Sequence, residues 1–213
     1  MRTVWWAALA VVVSVSSAEA QRQVLVGNRL VSLEGYGFAH GNPKAPVWIV
    51  ELADFGCGYC EKFAKETLPV LDSVYTRTGR VSWRFVPFVT GMFTNATEAV
   101  EASVCAAEQG KFWPMHDQLY KQRKAWMASR GPRQFFARMA QQLGLDLAKF
   151  GQCAKSKETA ATVAKNNALA QAIGVRGTPT FVINGEIVPG ALPTDVFVKG
   201  LGAVYQAATQ GSR

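Results

Sequence analysis

The feature that most constrains this chain is a change of hydrophobic period around two cysteines. Val47-Trp48-Ile49-Val50-Glu51-Leu52 is rich in β-branched and aromatic residues, as a buried strand requires. Gly56 and Gly58 break the run. From Tyr59 onward Phe63, Thr67, Leu71 and Val74 or Tyr75 recur at helical spacings of three and four. Cys57-Gly58-Tyr59-Cys60 stands at the junction. Two cysteines so placed can close a small disulfide ring where a helix starts. Unpaired N–H groups and the helix dipole favour a thiolate at Cys57, which lowers its pKa and makes it the exchanging sulfur. Cys60, one turn inside and more buried, is positioned to resolve a mixed disulfide formed at Cys57.

A zinc knuckle or an inert local bridge are the competing readings of the pair. A structural zinc site needs four ligands, usually from two such pairs. A second Cys-x-x-Cys is missing, and His40 and His116 do not stand at finger spacing. No metal or other cofactor is therefore expected. Glu51 adds to the redox reading, because a charge inside the most apolar strand is costly to bury and should hold its proton tightly. That suits a proton acceptor for Cys60, the alternative being a glutamate exposed at a sheet edge. Asp54 is expected to be exposed or to cap a helix. In Gly177-Thr178-Pro179-Thr180 the proline cannot donate to a ladder and belongs at a strand's beginning or in a bend. A cis Thr178–Pro179 bond would let Thr178 offer backbone hydrogen bonds to an extended substrate segment.

The remaining elements follow in order. Val24-Leu25-Val26 and Leu30-Val31 are β-like, and Gly41-Asn42-Pro43 marks a turn. Pro69 should kink the helix that begins at the cysteines. Val81–Val86 alternates as a second strand. Amphipathic, Ala-rich stretches fill 95–173, punctuated by Gly110, Gly131-Pro132, Gly144 and Gly151. Strand character returns at Thr180–Ile183, Asn184-Gly185 is a hairpin turn, Glu186-Ile187-Val188 answers it, and Pro193 to Ala207 closes as a helix. The economical architecture is α/β, a mixed sheet flanked by helices with a helical insertion.

Arg2, the apolar run Val4–Val13 and Ala18-Glu19-Ala20 read as a signal peptide cleaved after residue 20. The run is short for a bilayer span, which takes about 20 apolar residues; an uncleaved membrane anchor is the alternative. The domains expected are thus the leader 1–20, an N-terminal extension 21–40, and one domain over 41–205. The net charge of +8 could suggest nucleic acid, but the basic residues are scattered. Their densest cluster, Lys121-Gln122-Arg123-Lys124, fits a solvated helix surface. No nucleic-acid partner is expected. In an oxidising compartment four cysteines pair unless chemistry keeps one free. Cys105 and Cys153 stand alone, so the uneven spacing suggests one active pair and one structural pair.

Taken together, these residues resemble the DsbA-like branch of the thioredoxin superfamily, in particular the group whose partners resemble vitamin K epoxide reductase. The resemblance is carried by Gly41-Asn42-Pro43-Lys44-Ala45-Pro46-Val47, Asp54-Phe55-Gly56-Cys57-Gly58-Tyr59-Cys60, Gln109-Gly110-Lys111-Phe112-Trp113 with Met115-His116-Asp117, and Gly174–Gly185. It implies a thioredoxin-like fold, with Cys57 as nucleophile, Cys60 as resolving cysteine, Glu51 as the buried acid, and Pro179 as the cis-proline facing the cysteines after Thr178. It also implies a structural disulfide between Cys105 and Cys153, worth about 4 kcal/mol by loop entropy, the alternative being two free buried thiols. Relatives often carry proline and then histidine or tyrosine between the cysteines. Here the pair is Gly58-Tyr59, which removes a stabiliser of the Cys57 thiolate and leaves the redox poise open.

The expected activity is that of a monomeric dithiol oxidase, periplasmic or otherwise exported, that passes its disulfide to exported cysteine-containing proteins and is reoxidised by a membrane-bound thiol reoxidase. A disulfide reductase with the same centre is the first rival. The second, from another class, is a metal or client carrier without turnover, with Met92 and Met115 as conceivable soft ligands. His116 is expected to be structural, and His40 sits in a Gly-rich loop without a role.

Overall fold

The structure is a computed structural model that describes residues 22–210; the leader 1–20 lies outside the described residues. The chain opens with a hairpin, β1 (Gln23–Val26) against β2 (Arg29–Ser32). The main sheet has β3 (Phe38–His40), β4 (Val47–Ala53), β5 (Val81–Pro87), β6 (Thr180–Ile183) and β7 (Glu186–Pro189) in the order β3-β5-β4-β6-β7. Only the central pair β4–β5 is parallel, and both strands are buried almost throughout, as their unbroken apolar runs require. The sheet takes in Phe38–His40, three residues before the domain start expected at 41. This segment is too short and too glycine-flanked to read as a strand, yet it pairs with Trp83, Arg84 and Phe85 as an edge.

The helix after the cysteines is α1 (Gly58–Lys62), a π turn over Phe63–Thr67, α2 (Leu68–Leu71), and a second π turn over Asp72–Thr76. Pro69 cannot donate to the carbonyl four residues back. The chain absorbs the lost bond by widening: the Leu68 N–H reaches back five residues to Phe63 O, so the expected kink is distributed over two π turns. The insertion is helical, as expected: α3 (Ala96–Ala107), α4 (Phe112–Lys121), α5 (Arg123–Met127), α6 (Pro132–Gln142), α7 (Leu147–Cys153) and α8 (Lys157–Ala172). The last helix, α9, runs Thr194–Gln210. No helix among the described residues is long and apolar enough to cross a membrane.

Strand alternation divides the core between two faces. Ile49, Trp83 and Phe181 point to one face, where they pack with Phe63, Leu71 and Tyr75 of the cysteine helix and with Phe197 and Leu201 of α9. Val50, Leu52, Val86 and Val182 point to the other, against Leu169, Ala170 and Ile173, with Val24 and Leu33 from the N-terminal segment. A third cluster joins Phe55, Cys57, Cys60 and Phe85 to the interior of the helical insertion. The cysteine pair therefore sits where sheet, first helix and insertion meet. Cys105 on α3 and Cys153 at the end of α7 are disulfide-bonded, with Cα atoms 5.6 Å apart.

Candidate active site

Cys57 is the N-cap of α1, with extended backbone (φ −75°, ψ 127°), and its carbonyl accepts the Glu61 N–H at 3.0 Å. Asp54 shapes the approach. Its Oδ1 accepts the Gly56 N–H at 2.8 Å, and its Oδ2 accepts both the N–H and the hydroxyl of Thr90 at 2.8 Å each. The expectation of an exposed or helix-capping Asp54 is corrected: the side chain is fully buried and clamps the cysteine loop to the loop after β5. Gly56 completes the clamp, since a Cβ there would lie 2.3 Å from Phe93 Cβ.

Cys57 and Cys60 are free thiols and buried. The Cys57 thiol donates to Thr178 O at 3.3 Å, across a chain separation that the cis Thr178–Pro179 bond terminates at the start of β6. Beside it Tyr59 is 73% exposed. The pKa of Cys57 is lowered to about 5, first because the Cys60 thiol donates to its thiolate. The Thr178 side chain and the N–H groups of Cys60 and Tyr59 at the helix start add to this, against an opposing contribution from burial. The same contact acts in reverse on Cys60, whose thiol is pushed far up by burial, by its bond to Cys57 and by the Cys57 and Glu51 charges.

Glu51 is on β4 opposite Phe85 of β5 and Phe181 of β6, with no exposed surface. Its Oε2 accepts the Trp83 indole N–H at 3.1 Å, while Oε1 has no partner. Burial raises its pKa to about 8, the indole bond opposing only in part.

Arg123 was not foreseen. The cluster Lys121–Lys124 is not one solvated face, because α4 ends at Lys121 and α5 begins at Arg123. There the guanidinium pairs with Glu61 Oε2 at 2.6 Å and donates to Gly56 O at 2.9 Å. It thus ties the insertion to the cysteine helix and loop across 62 residues of sequence, a pairing no local pattern announces. His116 is buried on α4, with Nδ1 2.9 Å from Asp117 Oδ1. His40 lies in strand β3 and not in a loop, and its Nε2 is 2.7 Å from Asp72 Oδ1. Met115 is core, whereas Met92 is 72% exposed. No group of three or more His, Cys, Asp or Glu able to hold a metal occurs among the described residues.

The profile of the thioredoxin family matches residues 34–201. The chain belongs to this family. Its DsbA-like architecture is the one expected from the sequence: the solved structure of α-DsbA1 from Wolbachia pipientis superposes with a TM-score of 0.75 at 20% identity, covering 93% of this chain and all of that one. A probable disulfide bond formation protein D of Bacillus anthracis is 27% identical over 69% of this thioredoxin-family chain and 69% of its own length. The sodium/proton antiporter NhaA 3 of Salinispora tropica is 38% identical over 68% of this chain. The chain spans only 21% of that antiporter's length.

Proposed function

We propose that this thioredoxin-family chain is an exported thiol–disulfide oxidoreductase working as a dithiol oxidase on exported proteins with cysteines. The observation that carries the reading is the placement of Cys57 at the N-cap of α1, beside Cys60 and facing the cis Thr178–Pro179 turn; the Cys60 thiol and the N–H groups at the helix start lower its pKa to about 5. At pH 7 such a sulfur is about 99% thiolate. Ionisation of this kind stabilises the dithiol form over the disulfide, so the protein releases its disulfide readily. Two pH units of thiolate stabilisation correspond to about 2.7 kcal/mol. With screening at a sulfur that must meet its partner, that is roughly 30–60 mV toward oxidising potential.

The chemistry follows from the geometry. A client thiolate attacks Cys57 Sγ, the Cys57–Cys60 bond breaks, and Cys60 leaves with the electron pair. Cys60 does not tolerate the charge, and the protonated Glu51 carboxyl supplies its proton. A second client thiolate then attacks the client sulfur of the mixed disulfide and releases Cys57 as a stabilised thiolate. The client gains a disulfide, and the protein leaves as a dithiol. Thr178, preceding Pro179 and with its carbonyl 3.3 Å from Cys57 Sγ, supports a role in aligning the client backbone. A membrane-bound thiol reoxidase would return the disulfide to the pair, and the chain is expected to act as a monomer.

Equilibration of the purified protein with glutathione buffers tests the direction. A potential well above that of thioredoxin, about −270 mV, is expected; a potential at or below that value would overturn the oxidase reading in favour of a reductase. Loss of peptide oxidation in Cys57→Ser but not in Cys105→Ser is the outcome that excludes a carrier without turnover.

A further inference from the structure

Three of the buried polar atoms without a hydrogen-bond partner belong to residues around Phe85: Glu51 Oε1, the Tyr120 hydroxyl and His116 Nε2. Orphaned polar atoms are uncommon in protein interiors, and each needs a reason. The His116 and Tyr120 rings are neighbours, and both pack against Phe85, the strand partner of Glu51. Phe85 shares a sheet face with Glu51; the His116 ring meets Phe85 edge-on at 4.8 Å and Tyr120 at 5.0 Å. Phe55 closes the other side, 5.2 Å from Tyr120. One end of the group reaches the surface: His116 Nδ1 is hydrogen-bonded to Asp117, whose side chain is 76% exposed.

We propose that Tyr120 and His116 form a proton path between Glu51 and the surface carboxylate of Asp117. The inference rests on the reading of Glu51 as the proton partner of Cys60. Asp117 is an acceptor, so the Nδ1 that faces it carries the hydrogen, and Nε2 presents a lone pair to the interior. When the pair is reoxidised, Cys60 loses its proton to Glu51. Tyr120 passes a proton onward to His116 Nε2, and the Nδ1 proton leaves at Asp117, which inverts the tautomer. When a client is oxidised, a proton enters at Nδ1, Nε2 releases one toward Tyr120 and Glu51, and Cys60 is protonated. One proton out and one proton in per cycle restore the starting tautomer. The orphan atoms are suited to internal water as the link between them.

The electrostatics agree with this placement. Burial first, and then the charges of Cys60 on α1, Glu51 on β4, Asp54 in the intervening loop and Cys57 at the N-cap, hold the Tyr120 proton in place. Burial keeps His116 neutral, against the pull of Asp117. Both residues therefore carry charge only in passing. They act through Glu51 and are positioning residues, not catalytic ones.

The test mixes full-length reduced protein with a chromogenic aromatic disulfide, which the Cys57 thiolate opens to a mixed disulfide with release of one aryl thiolate. Stopped-flow absorbance then follows Cys60 displacing the probe in water and in deuterium oxide across pH. Tyr120→Phe, which removes one oxygen, should slow the displacement by about tenfold, a part of the roughly 10²–10⁴ that positioned proton transfer supplies. Alkylation of Cys57 should be unchanged. Asp117→Asn, at the surface and independent of any folding defect in the core variant, should slow it as well and alter the solvent isotope effect. Native rates, pH profile and isotope effect in both variants, with Glu51→Gln still slow, would overturn the path alone. A native rate in Glu51→Gln would overturn the role of Glu51 itself.

Discussion

Glu51→Gln should stabilise the reduced protein, increasingly so as pH rises. The glutamate is fully buried, and burial raises its pKa from 4.5 to about 8. Below pH 4.5 it is protonated whether the chain is folded or not, and its ionisation costs folding nothing. Between pH 4.5 and about 8 the unfolded chain releases the proton while the folded chain keeps it, so stability falls as pH rises. Each pH unit in that window removes about 1.4 kcal/mol, on the order of 5 kcal/mol by pH 8. Glutamine has the same shape, keeps an oxygen for the Trp83 N–H, and has no proton to lose. Urea unfolding of both proteins followed by far-ultraviolet circular dichroism at pH 4, 6 and 8 measures the gap. It should be near zero at pH 4 and several kcal/mol at pH 8. A gap that does not change with pH would refute a buried, proton-holding Glu51.

The rate of Cys57 alkylation should show a half-point near pH 5, and Cys60→Ala should move it upward, because the Cys60 thiol is the largest contributor to the depression; an unmoved half-point would exclude that contact. Replacing both Cys105 and Cys153 by alanine should cost about 4 kcal/mol by loop entropy in urea titrations, while leaving the Cys57 half-point in place. Gly56→Ala should cost roughly 1–3 kcal/mol, since Phe93 must move, and it should reduce peptide-oxidation rate together with stability.

Much of this fold is legible because its signals are local. The run Val47–Leu52 is buried on both faces, Asn184-Gly185 makes its turn with both residues at positive φ, and the amphipathic stretches of 95–173 become α3–α8. What escapes sequence is held together from a distance. Asp54 reads as a surface acid, yet its oxygens meet Gly56 and Thr90, the latter 36 residues away. Arg123 reads as one of four solvated residues, yet it finds Glu61 and Gly56. Tyr120 follows His116 at helical spacing, but nothing in that spacing says that both pack against Phe85, the strand partner of Glu51. β3 is invisible because three residues between glycines carry no period. The uneven spacing suggests one active and one structural pair, and the resemblance implies the bond between Cys105 and Cys153 that the structure contains.

The two cysteine shifts and the glutamate shift are one arrangement seen from three atoms. The hydrogen bond that stabilises a thiolate at Cys57 comes from the Cys60 thiol, so whatever makes Cys57 a good leaving group makes Cys60 a poor one. A pair built this way stalls when the disulfide opens unless a proton reaches Cys60 as the bond breaks. No exposed acid can supply it, because Cys60 has no solvent-accessible surface. The donor must be buried, must still hold a proton near neutral pH, and must be able to lose it; a glutamate with a pKa of about 8 meets all three conditions. On the role proposed for Glu51, the instability it brings to the fold is the same property that lets Cys57 be acidic without trapping Cys60 as a buried thiolate. If Glu51→Gln is more stable but opens its disulfide slowly, the two effects share that origin. A variant both stabilised and fully active would separate them and remove the need for an acid at this position.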